Sequence, residues 1–399
     1  MKVIYSVGAT LGSGGVGVHA GEAVKQLFRA GVLEKVICAG VKKGDSSYAP
    51  MMVNLGAVPV EAPWRLPAHR YFYPNWLKDT FFDLGTSVFA FRYTNTKPDF
   101  FHTWNGHGFY SMRKAKKLGL RTVVERNSLY PLEQEAVLEK EFKKLGLVYK
   151  PTHPLSLKRN LAELGEADYV TTPSRLVYDS LLLAGLPKEK LWQPNALGVD
   201  FEKFKVQSPN AKKISKSKSQ DEELNFVFVG GDPIRKGLYY LLKAWEQITK
   251  SQQLVASSQR LFLLGLPPRT FDSRPFLQFK GLAGVEDVGW ANSSEYYQKS
   301  HVFVLPSIED GWGLVVGEAM AAGLPVIVSE GAGAADMVTP GSGFRVPAGD
   351  WQALHEKMHY FVSDPRKAFD MGKAAQKAIR EFSWERYGEQ LLRNYKNSC

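Results

Sequence analysis

With 399 residues and 44.6 kDa, the chain exceeds the roughly 250–300 residues at which a single hydrophobic core stops growing, so two domains are expected. At 44% apolar and 23% charged, with 23 Phe, 17 Tyr and 9 Trp, it is neither disordered nor fibrous, and its two cysteines, Cys38 and Cys399, exclude a disulfide framework or a Cys-based zinc site. The formal charge of +11 permits contact with phosphates, nucleic acid or an anionic membrane and selects none; residues 1–200 hold 26 Lys and Arg against 18 Asp and Glu, a net +8, and residues 201–399 hold 25 against 22, a net +3.

The predicted elements begin with a strand over 3–8, whose Gly-rich continuation argues against a signal peptide. No apolar run reaches 18 residues, so no spanning helix is expected. A glycine turn leads to a helix over about 18–29, followed by strands at 36–38, 99–104 and 122–125. Cys38 reads as a buried strand residue, which favours a reducing cytoplasm. DYVTTP (168–173) is a further strand, after which Ser174 is placed to cap a helix and Gly185 to end it. Residues 206–223, VQSPNAKKISKSKSQDEE, are polar and low in complexity and read as a flexible linker or loop. Beyond them, strands at 225–230, 260–265, 301–306 and 324–329 alternate with helical patterns, the first over about 238–248. Short β-rich runs bounded by Gly or Pro fit buried parallel strands. The expected fold is therefore α/β, with two doubly wound Rossmann-like domains (1–205 and 224–382) facing across a cleft lined by loops from the carboxyl ends of the strands. Residues 383–399 form an amphipathic helix capped by Ser383, and the pattern leaves open whether it faces solvent or straps the domains together.

Chemistry is expected where these strands end. Gly12, Gly14, Gly15 and Gly17 between a strand and a helix let backbone amides and the helix N-terminus approach an anion. The loop is neither the dinucleotide fingerprint, since Glu34 precedes the next strand and Asp45 follows a KKG turn, nor a GxxxxGK[ST] P-loop. Asn105-Gly106-His107-Gly108 exposes a histidine between glycines. Glu125 and Arg126 either pair with each other or face a ligand. In the second half, Arg235 and Lys236 follow a strand and suit phosphate. In PSIEDGWGLVVGEAMAAGLPVIVSE (306–330), Asp310 and Glu318 flank an amide-rich turn containing Gly311 and Gly313. A helical Glu318 buried without a partner would be costly, which makes a ligand hydroxyl an economical partner. No DxD motif with a credible ligand set is present, so metal independence is expected.

These segments, in this order, resemble the family 4 glycosyltransferases, retaining enzymes of the two-Rossmann glycosyltransferase-B (GT-B) architecture, over nearly the full length. The most specific match is Asp310-GWGLVVG-Glu318, similar to the family's E-x7-E motif; GGVG (14–17), NGHG, PNALGVD (194–200), FVGG…RKG (228–237) and FSWERYGEQLL support it. The resemblance implies that Glu318 holds the ribose of a nucleotide-sugar and that Asp310, with the turn of Gly311, Trp312, Gly313 and Leu314, binds donor sugar hydroxyls. It implies that Lys236 neutralises the departing diphosphate, that Gly14 and Gly15 approach it from the first domain, and that His107 contacts the donor sugar and reacting centre. Gly17, Asn105 and Arg126 are expected on the acceptor side, and Trp290 near the base. The sequence departs from the family at Asp310, one methylene shorter than the usual Glu, although Glu309 adjoins it. It departs again at Gly231, where the family carries an arginine that Arg235 would have to replace.

The implied activity is retaining transfer of a sugar from a nucleoside diphosphate sugar, as co-substrate without metal or other cofactor, to a sugar, glycan or lipid-linked acceptor. A non-catalytic glycan-binding scaffold with the same fold is the alternative. Nucleic acid is not an expected partner, because the basic residues lack an interleaved aromatic platform. Arg113, Lys114, Lys116 and Lys117, with a second basic stretch around Lys140–Lys150, are read either as solvated faces or as a surface that meets an anionic cytoplasmic leaflet.

Overall fold

The computed structural model describes residues 1–42, 47–56, 75–92, 94–204, 224–251, 259–266 and 273–399. The expected linker at 206–223 lies outside the described residues.

The first sheet is six-stranded and parallel, in the order β3-β2-β1-β4-β5-β6, from β1 (Val3–Leu11), β2 (Leu33–Val41), β3 (Met52–Asn54), β4 (Phe100–Trp104), β5 (Arg121–Glu125) and β6 (Tyr169–Thr171). The second has the equivalent order β12-β11-β10-β7-β8-β9, from β7 (Leu224–Val229), β8 (Gln259–Leu264), β9 (Val285–Gly289), β10 (Val302–Leu305), β11 (Val326–Ser329) and β12 (Gly343–Val346). Both are doubly wound, so each has a switch point between its first and fourth strands, where the crossovers diverge to opposite faces and leave a crevice. Central strands are buried on both sides, as in β10, where every residue is covered; this explains the unbroken VFVL.

The helices of the first domain are α1 (Gly14–Arg29), α2 (Asn75–Phe89), α3 (Phe109–Lys117), α4 (Pro131–Lys144), α5 (Pro154–Glu166) and α6 (Arg175–Leu183). After a single turn at Phe201–Phe204, the second contributes α7 (Leu238–Ser251), α8 (Ser293–Lys299), α9 (Leu314–Ala321), α10 (Trp351–Ser363) and α11 (Arg366–Ala378), and the chain closes with α12 (Trp384–Asn397). Ser174 and Ser383 accept hydrogen bonds from the amides of Val177 and Arg386 and so cap α6 and α12. Two expectations are corrected. Helix α1 starts at Gly14 rather than near Val18, because β1 runs on to Leu11 and turns immediately. Glu34 lies inside β2 rather than before it, where its carboxylate accepts from the Asn95 and Thr96 amides.

Helix α12 returns to the first domain. Tyr387, Leu391 and Tyr395 are buried against it; Tyr387 Oη lies 2.9 Å from His19 Nε2, Trp192 donates to Ser398 Oγ at 2.9 Å, and Arg121 donates to the terminal carbonyls. Gly388 passes so close to Gln26 that a Cβ would sit 2.7 Å from its side chain.

Candidate active site

Four loops meet at the two switch points, following β1 and β4 in the first domain and β7 and β10 in the second. After β1, Gly12 (φ +76°) and Gly14 (φ +63°) adopt left-handed conformations that favour glycine. Gly14 and Gly15 form the first turn of α1, and a Cβ on either would meet nothing within 4 Å, so the helix N-terminus and its amides are approachable. Gly17 differs: its Cβ would fall 2.0 Å from the Thr10 carbonyl oxygen, so strand-to-helix packing accounts for this glycine.

After β4, the Asn105–Gly108 loop is held from beneath by Glu163 of α5. Its carboxyl accepts from the Gly106 amide, the Gly108 amide (3.0 Å) and Asn105 Nδ2 (3.0 Å), and burial pushes its pKa up to about 8 despite those amides. Asn105 is fully used, since its Oδ1 also accepts from Arg126 (3.1 Å). His107 turns its ring onto Gly8, whose amide donates to Nδ1 at 3.2 Å, so Nε2 carries the ring proton. That nitrogen lies 3.7 Å from Asp79 Oδ1 of α2. Burial, with the nearby Arg159 charge, lowers His107 to about 4, and burial raises Asp79 to about 6 against the opposing charge of Arg159.

In the second domain the loop after β7 faces the loop after β10 through consecutive ion pairs. Arg235 Nε donates to Glu309 Oε2 at 2.6 Å, and Lys236 Nζ is bonded to Asp310 Oδ2. Burial opposes the Asp310 charge, but Lys236 and Arg235 outweigh it and hold the carboxyl below its ordinary range. Arg235 is therefore an inward-facing cation bridging two loops, with its pKa raised by Glu309 and Asp310 in spite of burial. Gly237 (φ +69°) allows the approach, since a Cβ there would lie 2.0 Å from the Pro306 oxygen. Gly313 (φ +99°) precedes α9, and Trp312 is buried.

Glu309 joins the domains. It is fully buried and, besides Arg235, accepts from the Leu129 amide (3.2 Å) and Gln134 Nε2 (3.1 Å) of the first domain. Ser174 Oγ donates to the Gly311 carbonyl at 2.8 Å, and a Cβ on Gly311 would collide with the Asn127 oxygen. Gly311 thus serves the contact between domains.

Glu318 occupies the second turn of α9 and accepts from Tyr297 Oη at 3.1 Å. Burial raises its pKa, against Tyr297, Lys203 and Ser293. It lines a cavity of about 400 Å³ between the domains, together with Leu314, Lys203, Gly12, Lys25 and Lys42. The lining excludes His107, Lys236 and Asp310, so the expected site residues are not gathered in one cavity: Glu318 and Leu314 line this one, Arg235, Lys236 and Asp310 lie at the ion pairs, and His107 packs on Gly8. Trp290, expected near the base, is 76% exposed.

Glu125 and Arg126 neither pair with each other nor line this cavity. Glu125 points into the core between His19 (3.0 Å) and His102 (3.3 Å), and although burial opposes its charge, these partners bring it down to about 2. Arg126 spends its guanidinium on the Ser128 and Leu129 carbonyls, Asn105 and Gln134, and burial lowers it to about 10. Glu163, Asp79, His19 and the bridging role of Glu309 were not found from sequence; no local motif marks them, because each acts on a loop remote in the chain. Among the described residues no group of three or more His, Cys, Asp or Glu is gathered to hold a metal ion, and no helix is long and apolar enough to cross a membrane.

Two Rossmann-like domains facing across this cleft are the GT-B architecture, and the chain falls in the GT-B glycosyltransferase superfamily. Residues 13–192 match the model described as Glycosyltransferase Family 4, and residues 210–378 that described as Glycosyl transferases group 1. Among curated proteins, the chain is 26% identical over 247 residues to a sulfoquinovosyl transferase of Arabidopsis thaliana (58% of this chain, 45% of that one). It is 28% identical over 208 residues to a GDP-mannose-dependent monoacylated alpha-(1-6)-phosphatidylinositol monomannoside mannosyltransferase of Corynebacterium glutamicum (49% and 53%). The chain spans about half the length of the curated relatives it matches. Among solved structures, a sucrose-phosphate synthase from Thermosynechococcus elongatus superposes with a TM-score of 0.71 at 20% identity (100% of this chain, 99% of that one). Anabaena HepE in complex with UDP-glucose superposes with 0.67 at 14% (100% of both).

Proposed function

We propose that the protein is a retaining glycosyltransferase of the family 4 type, moving a sugar from a nucleoside diphosphate sugar to a hydroxyl acceptor without a metal. The observation that carries this reading is the pair of cations Lys236 and Arg235 fixed at the switch point of the second sheet, with the approachable N-terminus of α1 at that of the first and Glu318 lining the cavity between the domains. Departure of a nucleoside diphosphate builds negative charge on its bridging oxygen, and cations and aligned amides inside a closed cleft stabilise that charge. Lys236 is the cation for this task, steered by Asp310; Arg235, fixed by Glu309, supplies a second positive charge beside it. Glu318 offers its carboxylate to the ribose hydroxyls. His107, neutral with its proton on Nε2, offers a donor to the sugar. In front-face attack the departing phosphate oxygen takes the acceptor proton, so no protein base is needed. Hydrolase chemistry by an Asp310–Glu318 pair is disfavoured, because Asp310 is paired with Lys236 and Glu318 with Tyr297.

The experiment is a donor panel with acceptors, read as nucleoside diphosphate release, with the anomeric configuration of the product determined by NMR. One donor should give turnover that survives EDTA, with the anomeric configuration retained. Strict dependence on a divalent metal, or inversion, would refute the corresponding part of the proposal. Glycan binding without any donor turnover would favour the scaffold.

A further inference from the structure

An unbroken chain of side-chain hydrogen bonds joins the loop after β4 in the first domain to the loop after β7 in the second. Glu163 of α5, fully buried, accepts from Asn105 Nδ2 at 3.0 Å and from the Gly106 and Gly108 amides on either side of His107. Asn105 Oδ1 accepts from Arg126 Nη1 at 3.1 Å, and Arg126 Nη2 donates to Gln134 Oε1 at 2.7 Å. Gln134 Nε2 in turn donates to Glu309 Oε2 at 3.1 Å, and the same oxygen accepts from Arg235 Nε at 2.6 Å. A second branch uses the backbone: Arg126 Nε donates to the Leu129 carbonyl at 2.9 Å, and the Leu129 amide donates to Glu309 Oε1 at 3.2 Å. Arg126 is 8% exposed and Glu309 fully buried, so water and salt screen these interactions little.

The parts are suited to passing on a change. Two donors share Glu309 Oε2, one charged and one neutral, and the charged donor bonds more strongly. When an anion draws Arg235 away, that oxygen is left to Gln134, whose polarised amide then accepts more strongly from Arg126. The guanidinium is a rigid planar fork, so a shift of Nη2 toward Gln134 moves Nη1 against Asn105 as well. Nε suffices to brace the loop of Arg126 itself, through the Ser128 and Leu129 carbonyls; Nη1 and Nη2 reach beyond it.

We infer that Arg126 and Gln134 are positioning residues that couple the loop carrying His107 to the cation Arg235, so that a diphosphate engaged by Arg235 tightens the Asn105–Gly108 loop. By linkage the coupling is reciprocal: a ligand that fixes this loop strengthens diphosphate binding. Its use, readying the acceptor side only when a donor is in place, rests on the glycosyl-transfer reading; the coupling itself does not.

The test is amide hydrogen exchange of the full chain, read at Gly106 and Gly108 against the amides of α10, which takes no part in the chain of bonds and reports global stability. Arg235→Met should change exchange at the two glycines by about threefold or more relative to α10. In an Arg126→Lys background, which keeps the charge but has one nitrogen where Asn105 and Gln134 need two, the same substitution should change it by less than about 1.5-fold. Should Arg126→Lys fail to fold, judged by thermal unfolding, Gln134→Leu at its half-buried position cuts the next link and should at least halve the response, the Leu129 branch carrying the rest. Calorimetry with UDP, GDP and ADP accompanies these measurements. Whichever binds should slow exchange at Gly106 and Gly108 by about threefold or more in the parent and leave it unchanged in the Arg126→Lys protein. No response to Arg235→Met, or an equal response in both backgrounds, overturns the coupling and leaves these bonds as bracing alone. A nucleoside diphosphate that binds without altering the loop also overturns it and leaves sugar transfer standing; coupled substitutions in a protein that binds no nucleoside diphosphate support it and count against transfer.

Discussion

Glu318→Gln separates a ligand-binding carboxylate from a structural one. The glutamate accepts from Tyr297 Oη at 3.1 Å and from the Ser293 side chain, and an amide oxygen can accept such bonds. Burial raises the Glu318 pKa, so its ionisation opposes folding, and removing the charge should leave stability unchanged or slightly increased. Donor binding should respond in the opposite direction. Hydrogen bonds to a charged acceptor contribute about 1.5–3 kcal/mol against about 1 for neutral ones, so losing the charge toward two ribose hydroxyls should weaken binding by roughly 1.5–3 kcal/mol, or about 10- to 150-fold in Kd. The raised pKa adds a pH signature: affinity should fall as pH drops through a range above that of an ordinary glutamate, and the variant should lose that dependence. Calorimetry with the nucleoside diphosphate, alongside thermal unfolding, measures both effects. Unaltered affinity in a folded variant would refute the ribose assignment and leave Glu318 as a structural partner of Tyr297 and Ser293.

Arg235→Ala should slow transfer and also destabilise the fold by roughly 3 kcal/mol, because it strips the charged partner from the fully buried Glu309; adding Glu309→Gln should restore most of the stability but not the rate, as denaturation and kinetics would show. Glu125, depressed from 4.5 to about 2, should contribute up to roughly 3 kcal/mol that is fully present above about pH 4.5 and lost as pH falls through about 2. Urea midpoints across that window should fall for the parent and stay flat for Glu125→Gln. With His107 neutral down to about pH 4 and Asp79 protonating near 6, the rate should decline as pH drops through about 6, and Asp79→Asn should remove that limb; a limb that persists would refute the pairing. Gly8→Ala would place a methyl 3.1 Å from the His107 ring and should lower kcat with little effect on unfolding temperature.

The sequence by itself determined the class of fold and the strand ends at which the candidate site residues lie. Buried parallel strands must be apolar along their whole length, so β1, β4, β5, β7, β10 and β11 stand out as short β-rich runs, and the residues after them carry the glycines and charges that a cleft requires. The edge strands β3, β9 and β12 were not foreseen, because they are only partly buried and carry no continuous apolar run. Tertiary structure alone decided which charges pair. Local spacing placed Arg235 next to Lys236 and Glu309 next to Asp310, but the fold made them two parallel ion pairs. The fold likewise made Glu309 a bridge between domains, sent Glu125 inward between His19 and His102, and used Arg126 to brace its own loop. A carboxylate's role depends on what faces it across tens or hundreds of residues, and neither periodicity nor propensity contains that information. Asp83 of α2 is a further case: it is an interior residue whose carboxylate is satisfied by the Tyr110 amide and by Ser111.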